Sequence, residues 1–178
     1  MIRREYRYHD PDCPPGYDEW TERRGRTVAT ISGGGGVVIV LSGGAREAIV
    51  EHAREGVPEE VCGVLAGRYD PDESRADRAY RTPNVASRPE ITYEIDPETL
   101  FETIDEIEAA GSEVVGFYHS HPTGPRGPSP TDEARATWVE YSYVIVEPGA
   151  DPFLGSWRWT GDTFESETLR IGDSSVDA

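Results

Sequence analysis

The chain has 178 residues, with 34 Asp and Glu against 17 basic residues, for a formal net charge of −17 at pH 7. That balance excludes the basic footprint of a nucleic-acid binder, because a phosphate backbone would be repelled. The length suits one domain with a modest tail, and no apolar run reaches the roughly 18 residues of a membrane span.

In chain order, residues 1–36 are polar and turn-rich, with Pro11, Pro14 and Pro15 followed by Gly33 to Gly36. They predict an extension ending in a flexible glycine linker; no phosphate-binding glycine pattern follows. Val37 to Leu41 predicts a buried strand. Ala45, Ala48, Ile49 and His52 recur at helical spacing until Gly56 and Pro58 stop the helix. Val61 to Ala66 predicts a second buried strand, with Cys62 a small buried residue. Asp70 to Asp77 reads as a charged turn, and Ala79–Val85 and Ile91–Ile95 as strands. Asp96 caps and Pro97 opens a helix with Leu100, Ile104 and Ile107 on one face, ended by Gly111. Val114 to His121 predicts a strand, 123–128 a Gly/Pro loop, and Ser129 to about Trp138 a short helix. Tyr143–Val146, Phe153–Trp159 and Thr163–Ile171 close the pattern as strands, and 172–178 is a tail. Trp138, Trp157 and Trp159 are expected to pack in the core or along its edges. Alternating strands and helices followed by a strand-rich end predict an α+β (mixed α/β) fold in a single domain spanning 37–171.

Two compositional details set the cellular context. All 17 basic residues are Arg, and the sequence has no lysine. Acidic residues in excess with no lysine fit a cytoplasm of high salt, where screening shortens to about 3 Å at 1 M. Cys13 and Cys62 are too few and too far apart for a disulfide framework, which fits a reducing, cytoplasmic setting; no signal peptide is expected after Met1.

Chemistry concentrates in His119-Ser120-His121-Pro122, then Ser129 and Asp132. On a strand, His119 and His121 point to the same face, so their imidazoles can share one metal ion. Ser129 with Pro130 and Asp132 makes a capping box, which fixes the first helical turn and can set Asp132 beside the two histidines. Two His and one carboxylate form a three-ligand zinc site with a fourth position open to water, a catalytic layout. A nucleophilic water needs a base. Glu59 and Glu60 both stand at the edge of the second apolar strand, where partial desolvation favours a raised carboxyl pKa. His9 and His52 are not ligand candidates.

This pattern resembles the JAMM, or MPN-plus, metalloprotease family. Glu60-Val61-Cys62-Gly63-Val64-Leu65 matches the family's upstream glutamate segment, and the stretch from Asn84 to Pro122, with Ile91-Thr92-Tyr93 and Asp96-Pro97, is similar to small prokaryotic members. The resemblance covers about residues 37 to 165. It implies an MPN, cytidine-deaminase-like layered sheet flanked by helices. It also implies Zn2+ on His119, His121 and Asp132, Glu60 as general base, and Ser129 as the serine that steadies the carbonyl oxygen. With the acidic, lysine-free composition, the chain is similar to haloarchaeal members that remove ubiquitin-like modifier proteins, the desampylases. The implied partner is such a modifier and its conjugates, with no nucleic acid and no membrane. Two rival functions are a non-catalytic MPN-type scaffold and a protease trimming a sulfur-carrier precursor.

Overall fold

The computed structural model describes residues 37–172. Expectations for 1–36, including His9, Cys13 and the glycine linker, and for the tail beyond 172 lie outside the described residues. The elements are β1 (Val38–Ser42), α1 (Gly43–Gly56), β2 (Cys62–Arg68), β3 (Glu73–Thr82), α2 (Pro97–Ala109), β4 (Glu113–Ser120), α3 (Pro130–Arg135), β5 (Ser142–Glu147), β6 (Phe153–Trp159) and β7 (Phe164–Gly172).

Local chemistry accounts for the helix starts. Ser42 caps α1 by accepting from the Ala45 N–H, and Asp96 caps α2 by accepting from the Thr99 N–H, with Pro97 just inside. Gly111, at φ 77°, ends the turn after α2 in a conformation that favours glycine.

The strands run in the order β1-β3-β2-β4-β5-β6-β7, and β7 returns to pair in parallel with β1, so the sheet closes into a barrel. The layered sheet implied by the resemblance is therefore replaced, in the strand pairing, by a closed one. The helices remain few, and α1 lies against the sheet: Ile49, Val50 and Ala53 share a core with Ile39, Leu41, Leu65, Tyr118 and Val144. Leu65 pairs with Gly116 but Ala66 pairs with Val114, so Val115 is an extra residue in β4. This bulge lets Val115 and Tyr118, three positions apart, enter the same core. On the other side of β4, Phe117 meets Trp138 and Tyr143 with ring centroids 5.3 and 5.5 Å away. Trp138 and Trp159 are buried and Trp157 is half-buried, as packing roles require.

Three expectations change. The segment from Asp70 is a turn only as far as Asp72; Glu73 to Asp77 belong to β3, where Ser74 and Ala76 point inward between charged neighbours. Ile91–Ile95 is not a strand, because side-chain and loop hydrogen bonds occupy its backbone. The last short helix stops at Arg135, before Trp138.

Candidate metal and catalytic site

β4 delivers His119 near its end, and His121 follows directly after it. Both rings are almost fully buried, and their Nε2 atoms face each other at 3.0 Å. The loop after β4 turns back at once, and Ser129 starts α3 with both halves of a capping box. The Asp132 N–H donates to Ser129 Oγ at 3.2 Å, and the Ser129 N–H donates to Asp132 Oδ2 at 2.6 Å. The box holds the Asp132 carboxylate against both histidines: Oδ1 lies 3.3 Å from His119 Nε2 and Oδ2 lies 3.4 Å from His121 Nε2. Glu60, just ahead of β2, brings its buried carboxylate to the same point, Oε1 being 3.9 Å from His121 Nε2. The four residues named from the sequence thus meet, and half-buried Ser129 stands beside them.

The donor set fits a metal ion. One donor atom from each of His119, His121 and Asp132 lies within 4.8 Å of the others. Corners about 2.0–2.1 Å from a central zinc ion are about 3.3 Å apart in a tetrahedron. The separations of 3.0, 3.3 and 3.4 Å match that edge. His121 Nδ1 lies 2.8 Å from the Pro125 carbonyl, which can only accept, so Nδ1 carries the proton and the neutral ring keeps a lone pair on Nε2. Gly124 makes room for this arrangement; a Cβ there would stand 2.9 Å from the His121 ring. The Oε2 atom of Glu60 is buried, with no hydrogen-bond partner among the described residues.

Electrostatics separates these groups. Burial pushes the Glu60 carboxyl up to about 7; Asp132 adds to the rise and His121 opposes it. Burial also acts to raise Asp132, but the His119 and His121 rings against it and the Ser129 N–H outweigh it and hold Asp132 well below the usual carboxylate range. Burial pulls His119 down. At His121 the same pull is overcome by the Asp132 carboxylate beside it, the bond to Pro125 and the charge of Glu60, so its pKa rises. Two carboxylates with opposite shifts fit one proton-carrying group and one permanently charged ligand.

Residues 43–160 match the family model described as prokaryotic homologs of the JAB domain. The chain belongs to the JAB/MPN family. It is 44% identical to the desampylase of Haloferax volcanii over 135 residues, which is 74% of this chain and 94% of that protein. It is 34% identical to the probable TtuB-protein conjugate cleaving protease of Thermus thermophilus, over 67% of this chain and 77% of that one. It is 36% identical to the CysO-cysteine peptidase of Mycobacterium tuberculosis, over 75% of this chain and 91% of that one. A solution structure of a Desulfitobacterium hafniense protein, 28% identical, superposes with a TM-score of 0.70 over 76% of this chain and 94% of that one.

Sequence reasoning did not single out Tyr93. Its ring stacks on the His119 imidazole, with centroids 4.3 Å apart and planes 23° from parallel, and its carbonyl accepts from Arg135 of α3 at 3.2 Å. The signal was present in Ile91-Thr92-Tyr93, but a strand assignment there leaves the ring unplaced. His52, which the sequence did not offer as a ligand, is half-buried with Nδ1 2.8 Å from the Tyr118 hydroxyl. Cys62 is a free, buried thiol raised to about 11 by burial, consistent with a packing role. Among the described residues, no helix is long and apolar enough to cross a membrane.

Proposed function

We propose that this chain is a zinc-dependent peptidase that hydrolyses the amide or isopeptide bond after the C-terminus of a ubiquitin-like modifier protein. The observation that carries this reading is the convergence of the Glu60 carboxylate on the three donor atoms of His119, His121 and Asp132. Support for the substrate class comes from relatives named as a desampylase and a conjugate cleaving protease.

His119, His121 and Asp132 would hold the ion. When bound, the ion supplies Lewis acidity, polarising the scissile carbonyl and making water acidic enough to react near neutral pH. Glu60 takes a proton from the attacking water as the new C–O bond forms, and returns it to the leaving nitrogen as the C–N bond breaks. Ser129 Oγ accepts from the Asp132 N–H and keeps its own proton for the carbonyl oxygen of the tetrahedral intermediate. Pro125 holds the His121 ring in one orientation. The leaving nitrogen is a lysine side chain in a conjugate or an α-amine in a linear fusion. The same proposal takes residues 37–171 as the catalytic domain, 1–36 as an extension, 172–178 as a tail, and the cytoplasm as the setting.

The likeness to the CysO-cysteine peptidase favours a second reading, in which the bond cut joins a carrier protein to a single amino acid. A scaffold role is not favoured, because a non-catalytic module has no need of Glu60 beside a complete ligand set. The test incubates purified protein with an isopeptide-linked modifier conjugate and a linear modifier fusion, with and without chelator. Cleavage that chelator abolishes and zinc restores is expected. E60Q is expected to keep one zinc per chain while losing about 10²–10⁴-fold in rate. Cleavage unaffected by chelator, or wild-type turnover by E60Q, would overturn the mechanism.

A further inference from the structure

Glu60 precedes β2, and among the described residues no strand pairs with its backbone. The sheet begins to hold the chain one residue later, where the Val61 N–H donates to Ser120 Oγ and the Val61 carbonyl accepts from the Ser120 N–H. Both backbone groups of Glu60 are held instead by the segment between β3 and α2. The Glu60 N–H donates to the Pro89 carbonyl at 2.7 Å, and its carbonyl accepts from Asn84 Nδ2 at 2.9 Å.

Asn84 does more than this. Its Nδ2 also donates to the Thr92 carbonyl at 3.0 Å, and its Oδ1 accepts from the Ala86 and Glu94 N–H groups, each at 3.0 Å. Both donors and both acceptor sites of one carboxamide are therefore in use. The orientation of the amide is unambiguous, because carbonyls only accept and backbone N–H groups only donate. Thr92 and Glu94 flank Tyr93, whose ring covers His119. A single side chain thus holds the backbone of Glu60 and both sides of Tyr93, joining the carboxylate to the ring against the metal-ligand cluster.

We propose that Asn84 is a positioning residue for hydrolysis: its carboxamide seats Glu60 and Tyr93 together against the His119–His121–Asp132 cluster. The proposal deepens the function above and rests on Glu60 as the base. Only glutamine carries the same carboxamide, and there it stands one methylene further from the backbone. Aspartate keeps the two acceptor contacts but sets a charged oxygen against the Glu60 and Thr92 carbonyls; alanine removes all four bonds.

The test compares wild type, N84D, N84A, E60Q and the double variant N84D/E60Q. Zinc content, steady-state cleavage of a modifier conjugate, and amide hydrogen exchange of the metal-free protein are measured. N84D is expected to keep one zinc per chain, to lose about 10²-fold in kcat, as a misplacement of the order of 1 Å can cause, and to change KM less than about 3-fold. Exchange is expected to accelerate around residues 60 and 92–94 while β4 and β5 stay protected. In the E60Q background the N84D change is expected to remove less than about 3-fold further, because two residues acting as one unit are not additive. Equal losses in both backgrounds, wild-type kcat in N84D, or unchanged exchange at residue 60 would overturn the proposal. If N84D does not fold, N84A is read by the same criteria. A fully active E60Q would remove the base assignment, and hydrogen exchange would then judge the seating of Glu60 independently.

Discussion

Ser129 offers a clean separation of architecture from catalysis. As a helix cap its Oγ accepts from the Asp132 N–H at 3.2 Å, and the reciprocal bond from the Ser129 backbone to Asp132 is 2.6 Å. As an oxyanion donor it contributes only its hydroxyl proton. Asn caps as well as Ser but carries no hydroxyl, whereas Ala does neither. S129A is expected to lose about 1 kcal/mol of stability through the cap, a fall in Tm of about 2–4 °C for a chain of this size. S129N is expected to melt within about 1 °C of wild type, because Asn and Ser are near-equal caps. Both variants should lose about 10²–10³ in kcat, or about 2.7–4 kcal/mol of transition-state stabilisation, and both should hold one zinc per chain. Steady-state cleavage of an isopeptide-linked conjugate, thermal melts followed by circular dichroism, and metal analysis give the three readings. Wild-type turnover in S129A, which has no side-chain donor, would refute the oxyanion role and leave Ser129 a cap. Loss of zinc in S129N would refute it differently, by assigning Ser129 to the placement of Asp132.

Other expectations follow from buried features away from the site. Arg158 donates to Glu167 at 2.9 Å and to the Pro71 carbonyl at 2.7 Å, and Ser156 donates to the same Glu167 at 2.6 Å. R158M strands a buried carboxylate and should cost about 3–5 kcal/mol in urea unfolding, while R158M/E167M should cost clearly less; equal losses would contradict a paired-charge origin. In G63A the new Cβ would lie 2.2 Å from the Tyr80 carbonyl and 2.4 Å from the Tyr118 ring, so a loss of about 3 kcal/mol is expected, and an unchanged Tm would show that the sheet yields there. Burial, helped by Arg81 and opposed by Glu55, lowers the His52 pKa to about 4. The unfolded chain accepts that proton near pH 6.5 and the folded chain does not, so stability should fall as pH drops from 6.5 to about 4. H52Q should flatten this slope by ~1–2 kcal/mol, discounted for the partly exposed ring, as measured by urea unfolding across that pH range. With a net charge of −17, the Tm should rise between 0.1 and 2 M KCl through screening, and a fall would argue against adaptation to high salt.

The site was more legible than the fold because its chemistry is local. His119, His121, Ser129 and Asp132 lie within one short stretch, and strand alternation plus a capping box fix their relative placement almost without reference to the rest of the chain. Glu60 is different. Only the family resemblance chose it over Glu59, since 59 residues separate it from His119 in sequence while β2 and β4 pair side by side in space. Asn84 was invisible for the same reason in stronger form: all four of its bonds run to backbone groups, which leave no trace in side-chain pattern. Those bonds also explain the failed strand at Ile91–Ile95, where a β-branched and aromatic run gave the expected signal but Asn84 claims the Thr92 carbonyl and the Glu94 N–H. At Glu73 to Asp77 the alternation was real, yet the inward residues are Ser74 and Ala76, too small and too weakly apolar to announce a strand among charges.

The seam between β1 and β7 has a consequence for how the protein is made. Val38 pairs with Thr168, so the first strand of the described chain completes its hydrogen bonding only with the last. During synthesis every earlier strand can emerge and associate while β1 and β6 still lack the neighbour that separates them in the finished barrel. A ribosome-bound chain halted before Phe164 therefore presents two raw strand borders at once. A premature stop in that region should yield a sticky product rather than a slightly shortened enzyme.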